Sequence, residues 1–263
     1  MRKYMAVLRG TAMVGMVYRF GYFFAILGNL LYIGIVYYLW KSIYQGRETL
    51  RGLTFNETMI YIALGSTVFF LLKTYSDWII HYEIREGIIA SYLIKPMDFQ
   101  LYALFAVLGS TAMNIFAISI PTILFMIFVL KISFATGIGL LLFPLSFIFA
   151  LVISFCIDFF VGLMGFYSES VWGISSVKEI ILMFFSGALV PLQFFPEAVR
   201  NVLFWLPFQA VFHTPLMMVT KPDSGLSTFI PMVAVQAFWT IALIVLTRLF
   251  YNQAIKVLRI SGG

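Results

Sequence analysis

Side chains able to do chemistry are few in this sequence. Their densest group falls in one stretch, 81–98 (HYEIREGIIASYLIKPMD), where Glu83, Arg85, Glu86 and Lys95 crowd together in a chain only 11% charged. Glu83 and Glu86 are three residues apart, which puts them on one side of a helix. The spacing predicts a short helix over 82–94, with Ile84, Ile88 and Ile89 or Leu93 turned back toward the rest of the protein. Pro96 closes the segment, because proline cannot continue a helix. Charged groups so presented can make charge-assisted hydrogen bonds to another protein. The alternative is an ordinary solvated loop.

Two more charges, Lys73 and Asp158, sit inside apolar runs, about seven and nine residues from the ends nearest that stretch. At 1.5 Å per residue their depths differ by only about 3 Å. A lone charge in a bilayer costs several kcal/mol, so each needs a partner. One arrangement pairs Lys73 with Asp158 across two helices. A second pairs Lys73 with Asp77, four residues on, and leaves Asp158 to hydroxyl donors. A third makes Asp158 a proton or ion site, though no second buried acid is apparent beside it.

Catalytic patterns are missing. His81 and His213 fall at opposite faces of the expected bundle, and His81 is read as a solvated loop residue. Neither H-E-x-x-H nor a cluster of Cys, His and acid residues occurs, so no metal site is expected. There is no G-x-S-x-G elbow for a nucleophile. No G-x-x-x-x-G-K-[ST] loop is present to cradle phosphates, so any ATP that drives this protein is hydrolysed on another chain.

The elements that position these residues are membrane spans. The 263 residues are 62% hydrophobic, with a mean hydropathy of +1.00. A soluble domain is typically about 45–50% apolar and about 25% charged. Apolar runs at 20–40, 58–80, 101–130, 137–167 and 228–250 are each long enough to cross a bilayer. Pro121 is the expected kink of the third, and Pro144 lies near the start of the fourth. The run 179–192 covers only about 21 Å as a helix, too short to cross untilted. Prolines follow it at 191, 196, 207 and 215. Such punctuation at membrane depth predicts re-entrant half-helices over 193–225. The whole is expected to be a single all-α transmembrane domain, 1–263, with six transmembrane helices.

Residues 1–19 alternate basic and apolar, with Arg2 and Arg9 on one side. They predict a helix lying in the membrane interface, or else an extension of the first span. Their basic start lacks a cleavage signature and is read as retained. Ten basic residues fall on the side of the termini against six on the other, which predicts cytoplasmic termini in a multi-pass protein. The net charge of +6 is scattered at segment ends, as headgroup anchors are, and does not suggest nucleic acid. Asn56-Glu57-Thr58 is a sequon, and Cys156, the sole cysteine, lies in an apolar run. Phe69, Phe70, Phe184, Phe185, Phe194 and Phe195 are candidates to line an apolar path, or are packing and lipid-facing aromatics.

With that layout the chain resembles a permease subunit of the type-2 ATP-binding-cassette (ABC) exporters. Four features carry the resemblance: the N-terminal helix; Glu83-Ile-Arg85-Glu86-Gly87 with Leu93 and Lys95-Pro96; Ser186-Gly187 through Pro191, Phe195-Pro196 and Leu206-Pro207; and the ending Ile260-Ser261-Gly262-Gly263. That ending is typical of a small bacterial branch. The family's usual Thr-Leu-Glu after Arg-Glu-Gly is here Ile88-Ile89-Ala90, so the acidic contact at its third position is missing.

The resemblance implies a non-catalytic subunit of the bacterial inner membrane. It would export an amphiphilic or lipid-like substrate by alternating access, beside a second, identical or homologous permease. A separate ATPase would hold ATP and Mg and grip Glu83, Arg85, Glu86, Gly87, Leu93, Lys95 and Pro96. It also places the first, second and fifth spans along the path and at the dimer contact. A self-contained secondary transporter or channel is the alternative.

Overall fold

The structure is a computed structural model that describes residues 1–17 and 19–257, with the side chains of Arg19 and Leu93 outside the described set. The ending 260–263 and Arg259 likewise lie outside the described residues. Five helical segments are long and apolar enough to cross a membrane: Phe20–Ile43, Phe55–Arg85, Phe99–Phe128, Ile138–Phe166 and Leu226–Val257. The protein is an all-α membrane protein whose only described strands are a two-residue hairpin, Thr49–Leu50 with Leu53–Thr54.

Helix α1 (Arg2–Val17) precedes α2 (Arg19–Ile43), the first span. The second span starts at α3 (Phe55–Leu72), where Thr54 and Glu57 form a reciprocal capping box. It breaks at Lys73–Tyr75 and resumes as α4 (Ser76–Arg85), and a turn then leads to α5 (Ile89–Ile94). The third span is α6 (Phe99–Asn114), a π-helical turn Ile115–Ser119, and α7 (Ile120–Phe128). The π turn lies just ahead of Pro121. A proline ring clashes with the carbonyl four residues back, so the irregularity falls one turn before the residue that causes it.

The fourth span is α8 (Ile138–Leu163), helical straight through Pro144. Next come α9 (Trp172–Phe185), α10 (Glu197–Trp205), α11 (Pro207–Val211), α12 (His213–Thr220) and the last span, α13 (Leu226–Ala254).

The second span is central, with most of its surface covered, whereas α2, the third span and α13 keep broad apolar faces outward. The main core joins Tyr61, Val68 and Ile80 of the second span to Phe155 and Phe159 of α8 and to Val211 and Leu216 of the short helices. Helix α8 lies against α4, α11, α12 and α13. Cys156 is buried on α8.

Where lipid offers no hydrogen bonds, buried polar groups must meet one another. Asn29 donates to Thr122 at 3.0 Å, Gln236 exchanges bonds with Ser146, and Gln100 donates to Thr247. Such bonds average about 0.6 kcal/mol each in membrane proteins and serve mainly to fix register.

The break in the second span shows the same logic. A helix end leaves four carbonyls without partners. Here the third span supplies donors: Thr111 Oγ1 to the Leu71 carbonyl and Asn114 Nδ2 to that of Phe70, each at 3.1 Å. Thr111 and Asn114, three apart, share one face of α6.

Helix α1 lies along α6. The Tyr4 ring packs 5.4 Å from that of Phe105, and its hydroxyl accepts from the Asp98 amide. A Cβ on Gly109 would overlap the Thr11 hydroxyl and the Leu8 carbonyl, so glycine is what allows this approach. Gly109→Val is expected to cost about 1–3 kcal/mol and to free α1 from α6. Faster proteolysis within 2–17 would register it, and unchanged cleavage would contradict it.

Candidate functional site

Two sites emerge, a charged tip at one end of the bundle and a charged network inside it. At the tip, helix 82–94 is two helices rather than one. Gly87 adopts φ +72°, a left-handed conformation that ends α4 at Arg85 and lets α5 fold back. Ile84 and Ile89 face inward as expected, but Ile88 is exposed, because the glycine resets the phase of the second helix.

The tip residues divide by role. Arg85, Glu86, Gly87, Lys95 and Pro96 are exposed. Arg85 reaches across to donate to the Glu169 carbonyl at 3.2 Å, in the 168–171 loop. Glu83 is half-buried, and its carboxylate accepts from the Tyr92 hydroxyl at 3.1 Å. The same hydroxyl lies 2.9 Å from that of Tyr102, within hydrogen-bond distance. Burial first, then these bonds and the nearby Glu83 charge, hold the Tyr92 hydroxyl protonated well above the ordinary phenol range.

The closing segment is tied down twice. Lys3 of α1 donates to the Pro96 carbonyl, and Arg248 of α13 pairs with Asp98. His81 is buried, not solvated, with its ring against the backbone of Gly165.

The internal network overturns the expected Lys73–Asp158 pair. Lys178 of α9 bridges Asp77 of α4 and Asp158 of α8, with both ion pairs at 2.7 Å. Asp77 and Asp158 are only 2% and 6% exposed. Ser76 donates to Asp158 at 3.0 Å, and Ser175, which accepts from Trp78, donates to Asp77.

Lys73 instead meets Glu179 of α9 at 3.2 Å. The i to i+4 pairing with Asp77 fails as well, because the break at Lys73–Tyr75 removes the helical phase between them. Tyr75, with φ +53°, is left-handed although it has a Cβ. Asp77 is the second buried acid beside Asp158. It also lies in the first turn of α4, where the helix dipole favours a carboxylate.

Lys178, Glu179 and Ser175 were not picked out from the sequence. The signal was present in Ser175, Lys178, Glu179 and Leu182, whose spacing marks one face of α9.

Above this network a cavity of about 40 Å³ reaches Phe69 and Phe212. A larger cleft of about 290 Å³ lies between α2, α3 and α9, lined by Gly28, Asn29, Ser66, Phe70 and Leu189. Phe69 and Met183 border both spaces and so divide them. Of the six candidate path aromatics only Phe69 and Phe70 line the cleft. Phe184 and Phe185 are exposed. The Asn29 carbonyl oxygen is buried at the cleft without a donor.

Among the punctuating residues, Gly187 has φ +82°, and a Cβ there would stand 2.7 Å from the Tyr61 hydroxyl. That hydroxyl pairs with His213 Nδ1 at 3.0 Å, and the His213 amide donates to the Ser186 carbonyl. Pro191 is buried, Pro196 precedes α10, and Pro207 opens α11. Among the described residues no group of three or more His, Cys, Asp or Glu could hold a metal ion.

Long apolar helices joined by buried polar bonds, with one charged tip, define a multi-pass membrane protein. The chain belongs to the ABC-2 family transporter proteins, whose family model matches residues 30–262. No curated protein matches it. Membership makes it the membrane subunit of an ABC transporter, a non-catalytic role in a family that normally works with an ATPase subunit.

Proposed function

We propose that this chain is the permease of an exporter, with its tip 81–98 in the cytoplasm, where an ATPase carrying ATP and Mg grips it. The observation that carries this reading is the construction of α4. It is a ten-residue rod with exposed Arg85 and Glu86 at one end and a non-glycine break at the other. Beside that break it is clamped at Asp77 to α8 and α9 through Lys178. A push on the tip is then transmitted to three spans at once.

Both termini are cytoplasmic in this reading, in a bacterial inner membrane, and the sixth crossing is α9 with the chain that follows it. The hairpin 193–225 is re-entrant from the far side. Phe194 packs on Trp40 near the far end of the first span, while Ala210 takes a hydrogen bond from Gln236, ten residues inside α13. The hairpin then returns to Pro222, whose carbonyl accepts from Gly139 at the start of α8.

A second permease, identical or homologous, packs on α2 and α9. An amphiphilic or lipid-like cargo passes the cleft beside Asn29 once Phe69 and Met183 part.

Charged hydrogen bonds contribute about 1.5–3 kcal/mol each. Glu86→Lys is therefore expected to weaken ATPase association by about 10- to 100-fold and to abolish transport, with membrane insertion intact. Co-purification of the ATPase and its stimulated hydrolysis measure this, and wild-type values for both would refute the role. A proton-coupled carrier is the second reading, favoured by the two buried acids around Lys178. Uptake of a fluorescent amphiphile into vesicles holding the purified chain alone, driven by a pH gradient, would establish that reading and displace the first.

A further inference from the structure

The end of the bundle away from Gly87 holds a cavity of about 420 Å³ with an almost wholly apolar lining. Its walls are Leu64 and Val68 of α3, Ile115 and Ser119 of the π turn, Phe143 of α8 and Val219 of α12. It adjoins the outward face of the third span, where Ile115, Phe116, Ile120 and Leu124 are exposed.

Two wall residues carry hydroxyls, and that of Thr67 donates to the Ala63 carbonyl at 2.8 Å. The Ser119 hydroxyl is buried and has no hydrogen-bond partner. Elsewhere on the third span Ser110 and Thr122 donate to the carbonyl four residues back. For Ser119 that carbonyl belongs to Ile115, which accepts the Ile120 amide in the π-helical register, and the Ser119 hydroxyl does not bond it. π turns of this kind recur at functional sites, and an unmet hydroxyl in a dry cavity is destabilising.

Depth then selects the occupant. The 30 residues Phe99–Phe128 reach about 45 Å, about 15 Å more than a hydrocarbon core of about 30 Å. With that excess shared between the ends, Ser119, nine residues before Phe128, lies only about 6 Å inside the far boundary. That is just beneath the level at which acyl esters sit.

We propose that this cavity holds one glycerophospholipid of the far leaflet. Its ester carbonyl accepts from Ser119, and one acyl chain runs between α3, the π turn and α8. The site lies apart from the α2–α3–α9 cleft and depends only on the chain being embedded, so it stands or falls separately from the ATPase reading.

The test uses the full chain in vesicles with a phosphatidylcholine carrying a diazirine on one acyl chain. After photolysis, labels are expected to concentrate on 64–71 and 115–123, several-fold above the exposed apolar positions Phe23 and Phe238. In detergent, native mass spectrometry is expected to show one ester lipid retained in preference to its dialkyl-ether analogue. Ser119→Ala should erase that preference. Labels no denser there than at Phe23 and Phe238, or equal retention of ester and ether lipids, would each overturn the proposal.

Discussion

Replacing Lys178 with methionine is expected to destabilise the protein by about 3–5 kcal/mol, the usual cost of removing one partner from a buried charge pair. Lys178 is the common partner of Asp77 and Asp158, both sealed from solvent. Without it two carboxylates face each other across α4 and α8 with only Ser76 and Ser175 as donors. One must then take up a proton or the helices must part.

The removal of all three charges should behave differently. Lys178→Met with Asp77→Asn and Asp158→Asn leaves no uncompensated charge, and neutral replacements of buried pairs are often tolerated. Thermal unfolding in detergent should therefore place the triple variant near wild type and the single variant far below it. Equal losses in both would mean that the network acts through shape and not charge. In the proposed exporter the triple variant would fold but transport poorly, because the clamp that joins α4 to α9 would be gone.

The second large effect is expected at Gly162. This residue of α8 faces α4 so closely that a Cβ would stand 2.8 Å from the Ile80 side chain and 3.0 Å from the Asp77 carbonyl. Gly162→Val forces the rod outward. Overpacking alone costs about 1–3 kcal/mol, and the movement also lengthens the Asp77–Lys178 pair. Transport should fall while the ATPase still binds, since Arg85 and Glu86 remain exposed at the tip. Gly173→Val, on an open face of α9, is the control and should be close to neutral apart from helix propensity. Loss of ATPase binding in Gly162→Val would show that the rod and its tip are not separable.

What the sequence made legible follows from local physics. Five spans were visible because a bilayer demands long unbroken apolar runs, and the exposed tip was visible because charges cannot rest in lipid. Gly87 announced a turn, although the continuous helix over 82–94 overlooked that a glycine with φ +72° would split it.

The break at Lys73–Tyr75 was not legible. No glycine or proline marks it, and it persists because Thr111 and Asn114 of another helix cover the carbonyls it frees. Pairing failed for the same reason. Lys73 and Asp158 matched in depth, but depth does not say which faces meet, and their true partners, Glu179 and Lys178, sit together in the second turn of α9. The unmet Ser119 hydroxyl is likewise invisible without the π register.

Cys156 lies fully covered on α8. Thiols sealed in this way are inert to polar alkylating reagents. A cysteine added at Glu86 would thus be the sole reactive handle on an otherwise native background, and a pair added at Glu86 and Glu48 would report by dipolar spectroscopy whether, as in the proposed exporter, the rod swings when the ATPase and nucleotide are added.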